Sequence, residues 1–154
     1  NYNISNHLQK KIKKKIKNWT YPQIRIDGDF AKKFSAPLHV DKWILDAKLK
    51  GFVVWFPINK KGSSLLISKK KNISNIVRDK YWNIKSNTKT YYNKINVKYG
   101  NALIFDESVA HKSSEGENRV TVQLRYHILN KYFNERSVNQ KINPKVLSYW
   151  KKHA

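Results

Sequence analysis

Arg119-Val120-Thr121-Val122-Gln123-Leu124-Arg125-Tyr126 alternates between polar and apolar side chains along its whole length. Successive residues of a β-strand point to opposite faces, so this stretch reads as a strand with Arg119, Thr121, Gln123 and Arg125 on one face and Val120, Val122 and Leu124 on the other. Such a polar face is either solvated or turned inside a barrel around a site. For the second case the chemistry is suitable: a guanidinium clasps a carboxylate through two parallel hydrogen bonds, and the Thr121 hydroxyl adds a third.

Further strand signals lie upstream. Gly100-Asn101 is a turn, and Ala102-Leu103-Ile104-Phe105 is a short buried strand that leads through Asp106-Glu107-Ser108-Val109-Ala110 to His111. Phe52 to Ile58 is a buried strand ending at a proline and Ser64 to Ser68 is another. The Asn59 to Gly62 turn between them predicts a hairpin. Tyr21 to Ile26 is a further strand, followed by a turn at Asp27 to Asp29, and Phe34 to Pro37 lead into the segment Leu38-His39-Val40-Asp41-Lys42-Trp43. On a strand, His39 and Asp41 share one face. With His111 delivered by a second strand they make two imidazoles and one carboxylate, the facial set that leaves coordination positions open on a non-haem iron. A His-x-Asp spacing taken alone is weak evidence, since chance supplies it readily.

These motifs together resemble the Fe(II)/2-oxoglutarate-dependent oxygenases, and within them the phytanoyl-CoA hydroxylase-like branch with its bacterial carbohydrate-cluster members. The resemblance spans about Tyr21 to His127. It rests on Tyr-Pro-Gln-Ile-Arg-Ile (21–26), His39-x-Asp41, Val-Trp-Phe-Pro-Ile (54–58), Gly-Ser-Ser-Leu-Leu-Ile (62–67), Gly-Asn-Ala-Leu-Ile-Phe-Asp (100–106), His111 and Arg119-x-Thr121. It implies His39, Asp41 and His111 as iron ligands and Arg119 with Thr121 as the clasp for 2-oxoglutarate, with Fe(II), 2-oxoglutarate and O2 as cofactor and co-substrates. Arg125 is the alternative clasp, and Gln23 and Arg25 are expected to reach the same cavity, unless Arg25 pairs with Asp27. One departure lies at the rim: where relatives carry a Pro-Gly-Ser-His turn, this chain reads Ile67-Ser68-Lys69-Lys70-Lys71-Asn72.

Short strands, few helices and ligands on separate strands predict a mainly β fold, a double-stranded β-helix or cupin-like jelly roll with flanking helices. A chain of 154 residues, 40% hydrophobic and 13% aromatic, suits a single oxygenase domain with a modest core. Leu8, Ile12, Ile16 and Trp19 give the lysine-rich segment 1–19 the stripe of an amphipathic helix that packs outside a sheet. Residues 69–98, rich in Lys and Asn with Trp82, Tyr91 and Tyr92 embedded, are expected to form a lid or insertion. A short helix is expected after Asn143-Pro144 through Val146, Leu147 and Trp150. His7, His127 and His153 have no partner at a suggestive spacing and read as structural or exposed. As the chain opens at Asn1, its native N-terminus is expected upstream.

Cysteine is absent, which excludes a disulfide framework and a thiolate metal site and fits a cytoplasmic setting. No apolar run reaches the roughly 20 residues of a membrane helix. The formal charge is +22, with lysine supplying most of the 32 basic residues. Such a field concentrates anions, although AT-rich coding produces the same excess of Lys, Asn and Ile. The resemblance implies oxidation, most simply hydroxylation, of a C–H bond, and the charge favours a small anionic substrate such as a sugar or nucleotide-sugar. Arg119 and Arg125 also frame an Arg-x5-Arg stretch like that of nucleic-acid dealkylating oxygenases, which makes nucleic acid the rival substrate. A non-catalytic cupin-like binding module is the third alternative.

Overall fold

The alternating stretch is the centre of the larger sheet. The structure is a computed structural model that describes residues 4–18, 22–27, 38–41, 50–69, 91–114 and 118–129. In chain order the elements are α1 (Ile4–Ile12), β1 (Ile16–Asn18), β2 (Gln23–Asp27), β3 (Gly51–Pro57), β4 (Ser63–Ser68), β5 (Tyr92–Val97), β6 (Leu103–Asp106), β7 (His111–Ser113) and β8 (Arg119–Ile128). They form two antiparallel sheets in a sandwich-like, mainly β arrangement. One sheet is five-stranded with the path β1-β8-β3-β6, and β2 also pairs with β8. The other is three-stranded, in the order β5-β4-β7.

The register of the larger sheet sorts its side chains into two unlike faces. Tyr126, Leu124 and Val122 of β8 lie opposite Phe52, Val54 and Phe56 of β3, and these residues pack with Leu8 and Ile16 in one apolar cluster on the outer face. Helix α1 covers that face with Ile4, Leu8 and Ile12, the role its apolar stripe predicts. Leu8 is buried, and burial of a leucine side chain contributes about 1.5–3 kcal/mol. The helix is shorter than the 1–19 span expected from periodicity. Lys13 adopts a left-handed φ of 54°, which breaks the helical repeat, and Ile16 reaches the same cluster from β1 instead. Trp19 lies outside the described residues. So do Trp82, Asn143 to Trp150 and His153. No helix among the described residues is long and apolar enough to cross a membrane.

The inner face is divided down its middle. On the β3 and β6 side, Val53, Trp55 and Phe105 pack with Leu65, Ile67, Val97 and Val109 in the core between the sheets. On the β8 and β2 side the inner row is polar. Arg119, Thr121, Gln123, Arg125 and His127 are all buried, and β2 sets Gln23, Arg25 and Asp27 opposite Gln123, Thr121 and Arg119. Half of the inner layer is therefore hydrocarbon and half is a row of hydrogen-bonding groups.

Two sequence expectations are corrected here. The strands at 52–58 and 64–68 do not form a hairpin: β3 pairs with β6 and β8, whereas β4 pairs with β5 and β7. The 59–62 turn carries the chain from one sheet to the other, held by the Gly62 amide donating to the Asn59 carbonyl at 3.0 Å and the Asn59 side-chain amide donating back to the Gly62 carbonyl at 3.1 Å. The last part of the expected 69–98 lid is strand β5, paired with β4 from Tyr92 to Val97. The remainder of that segment, from 70 to 90, lies outside the described residues.

Gly62 is specific to its turn. Its φ is +74°, and an added Cβ would lie 2.6 Å from the Val97 carbonyl oxygen, a backbone atom that cannot swing aside. Gly62→Ala is expected to cost about 1–3 kcal/mol, read as a lowered urea midpoint at unchanged slope.

Candidate metal centre

Strand β7 begins at His111, and one edge of it is closed by β4, with His111 opposite Ile67. The other edge is met by His39, which forms an isolated antiparallel bridge to His111. His39 donates its amide to the His111 carbonyl at 3.0 Å and accepts from the His111 amide at 2.9 Å. Two residues that exchange both backbone bonds stand directly opposite each other with side chains on one face. The imidazoles accordingly meet at a ring-centroid distance of 4.3 Å. The strand geometry expected for 38–43 is not what unites His39 with Asp41: pairing stops at the bridge, and by Asp41 the chain has left the sheet.

Asp41 nevertheless closes the group. Its Oδ1 lies 3.7 Å from His39 Nε2 and its Oδ2 lies 3.9 Å from His111 Nε2. One candidate ligand atom from each of the three buried residues lies within 4.8 Å of the others. Donors about 2.0–2.2 Å from one ion and at right angles to each other, as in a facial set, are about 3 Å apart, so side-chain shifts of about an ångström or less per group would bring the three onto a single cation.

The surroundings prepare these atoms. His111 Nδ1 lies 3.0 Å from the Val109 carbonyl; a proton held there leaves the Nε2 lone pair facing Asp41. Asp41 Oδ1 accepts from Arg125 at 2.9 Å. Its Oδ2 is buried without a hydrogen-bond partner among the described residues. A buried carboxylate oxygen with no donor is costly, and a cation would satisfy it. Burial pushes the Asp41 carboxyl upward, but Arg125 first, then His111 and His39, outweigh it and hold the group well below the usual carboxylate range. Burial, only partly offset by Asp41, pushes His111 below its ordinary value of 6.5 and favours the neutral, ligating imidazole.

Both shifts have the same sign for stability. Each group has a lower pKa folded than unfolded, so the unfolded chain binds protons first as the pH falls. The metal-free protein is expected to lose stability progressively below about pH 6.5, where unfolded histidine protonates, and more steeply near pH 4, where unfolded aspartate does. Urea midpoints measured from pH 8 to pH 4 check this, and Asp41→Asn should flatten the lower part of the curve.

The polar row beside the centre is already engaged in part. Arg125 donates to the side-chain oxygen of Gln23 and to that of Gln123 at 3.0 Å, besides Asp41. Arg119 donates through Nε to Asp27 Oδ2 at 2.6 Å and to the Ser64 carbonyl, with its guanidinium carbon 5.8 Å from the centroid of the Trp55 ring. Arg25 pairs with the other Asp27 oxygen at 3.2 Å, the alternative its spacing allowed. Thr121 is fully buried, and its hydroxyl has no hydrogen-bond partner among the described residues. Of the residues singled out from sequence, His39, Asp41 and His111 come together directly. Gln23 and Arg125 adjoin them, and Arg119 and Arg25 converge on Asp27.

Sequence reasoning offered Asp27 only as a partner for Arg25, placed Gln123 on the polar face without a specific role, and gave no role to Glu107. The first two carried a signal, because each shares a strand face with an arginine two residues away. Glu107 carried none. Comparison with protein-family models and with curated proteins finds no match for this chain. The fold and centre define a mainly β protein with a buried His-Asp-His group able to hold a metal ion.

Proposed function

We propose that the protein is a non-haem iron oxygenase of jelly-roll architecture that uses 2-oxoglutarate and O2 to oxidise a C–H bond of a small anionic substrate. The observation that carries this reading is the buried Asp41 carboxylate set between the two imidazoles, with Oδ1 3.7 Å from His39 Nε2 and Oδ2, which has no hydrogen-bond partner among the described residues, 3.9 Å from His111 Nε2. Two nitrogens and one oxygen on one side of an ion are the ligand set of iron oxygenases, which keep further positions open for co-substrate and oxygen. His39, Asp41 and His111 would hold the iron, which would supply O2 activation coupled to oxidation of the keto acid.

The chain's own groups support a dianionic co-substrate. Among the described residues Arg25, Arg119 and Arg125 lie beside Asp27 and Asp41, and a divalent cation would add two positive charges to the same space. Buried charge of this size calls for an anion. Arg119 is held rigidly by Asp27 and Ser64 beside the unpartnered Thr121 hydroxyl, and this supports those two as the carboxylate clasp. Arg125 is better suited to Asp41: it occupies Oδ1 and leaves Oδ2 as the single ligating oxygen. The apolar wall of Val53, Trp55 and Phe105 excludes water from the same space, which strengthens every charge interaction there.

Anaerobic addition of Fe(II) and then 2-oxoglutarate tests the reading. A weak visible charge-transfer band is expected in the wild type. It is lost in His111→Ala, and in Thr121→Val or Arg119→Gln it needs much more 2-oxoglutarate. Absence of the band in folded wild-type protein that has taken up iron contradicts the proposed co-substrate.

A further inference from the structure

Among the described residues, Glu107 and His127 are the most deeply buried titratable groups that the proposed chemistry does not use, 1% and 0% exposed. The sheet register explains their meeting. Gly51 is opposite His127 on one side, and on the other side its carbonyl accepts from the Glu107 amide at 3.2 Å, one step beyond the Phe52–Asp106 pair. Glu107, just past the end of β6, and His127 on β8 thus flank β3, with a residue lacking a side chain between them. Across that gap Glu107 Oε2 approaches His127 Nε2 to 3.5 Å. A Cβ on Gly51 would fall 2.6 Å from the same Oε2 and 2.7 Å from the His127 ring. The niche therefore exists because residue 51 is glycine.

Glu107 also begins the turn that leads into the candidate metal centre. Asp106 Oδ1 accepts from the Ser108 amide at 2.9 Å and from its hydroxyl at 2.6 Å, and the Val109 amide donates to the Asp106 carbonyl at 2.9 Å. This tight turn presents the Val109 carbonyl to His111 Nδ1 at 3.0 Å. Its first half is fixed by Asp106, and its inner side chain is the one lodged over Gly51.

We propose that Glu107, lodged over Gly51 against His127, is a positioning residue that locks the 106–110 turn so that the Val109 carbonyl fixes the tautomer and orientation of His111. The inference rests on His111 being a metal ligand. Partners that orient a ligating imidazole through its other nitrogen typically change metal affinity about 10–100-fold when lost. Glu107 acts one step further out, through the backbone that carries the carbonyl.

The test compares wild type, Glu107→Ala, Glu107→Gln and, as a control for lost stability, Val54→Ala in the outer-face cluster. Co(II) titration and histidine-selective nitrogen NMR of the metal-free protein are the readouts. Glu107→Ala is expected to weaken Co(II) binding about 10-fold or more and to convert His111 from a single Nδ1-protonated tautomer to a mixture. Glu107→Gln, which keeps the shape of the side chain and a carbonyl oxygen opposite His127, should retain near wild-type affinity. Val54→Ala should lose stability without either effect. If Glu107→Ala does not fold, Glu107→Asp shortens the side chain by one methylene and is read the same way. Wild-type affinity with an unchanged His111 tautomer in a folded Glu107 variant overturns the inference. Failure of wild type itself to bind Co(II) instead overturns the metal reading, and the tautomer of the metal-free protein still decides the role of Glu107.

Discussion

Asp41→Asn is expected to reduce affinity for a divalent cation by more than the roughly 10–100-fold seen when only an outer partner of a metal ligand is lost. The substitution keeps the size of the side chain and leaves a carbonyl oxygen to accept from Arg125, now 2.9 Å from Asp41 Oδ1. What changes is the other position. Oδ2, buried and without a donor among the described residues, becomes an NH2 group that cannot ligate and points its protons toward His111. The negative charge opposite two imidazoles is also lost. Calorimetric titration of the metal-free protein reads the difference directly. Equal affinity in the two proteins would mean that the cation sits elsewhere.

Asp27→Ala is expected to produce the largest loss of stability. The Asp27 carboxylate divides its oxygens between Arg119 at 2.6 Å and Arg25 at 3.2 Å, and Asp27 and Arg119 are 4% and 3% exposed. Removing one partner of a buried ion pair strands the other, at a cost of about 3–5 kcal/mol. Total stabilities are only about 5–15 kcal/mol, so the variant should unfold at much lower urea or fail to accumulate. A double change, Asp27→Leu with Arg119→Met, removes both charges at similar volume and should be more stable than the single variant. A loss below about 1 kcal/mol in Asp27→Ala would place the pair among screened surface bridges.

These two predictions draw on different depths of the sequence. The polar face of β8 was legible because period-two alternation needs no tertiary information, and the inner row from Arg119 to Arg125 follows from it. The candidate ligands were legible as residue types in a suggestive order. Their juxtaposition was not, since His39 reaches His111 through a single bridge between segments 72 positions apart in number, and the shared strand face inferred for His39 and Asp41 played no part. The supposed hairpin at 52–68 failed for a related reason: a short turn between two buried strands can join neighbours in one sheet or cross to another, and local composition does not distinguish them. Helix α1 ended early because Lys13 turns left-handed, while Ile16 kept its place in the apolar cluster from a strand. The Glu107–Gly51–His127 contact required the register of three strands, which no spacing in the chain encodes.

Histidine-selective NMR during addition of Co(II) addresses the metal centre most directly. One equivalent is expected to shift or broaden the ring signals of His39 and His111 together, with Asp41→Asn suppressing both changes and the exposed His7 unaffected. Uptake of the metal that leaves His39 and His111 unchanged, or no uptake by folded protein, would contradict a metal site built from His39, Asp41 and His111.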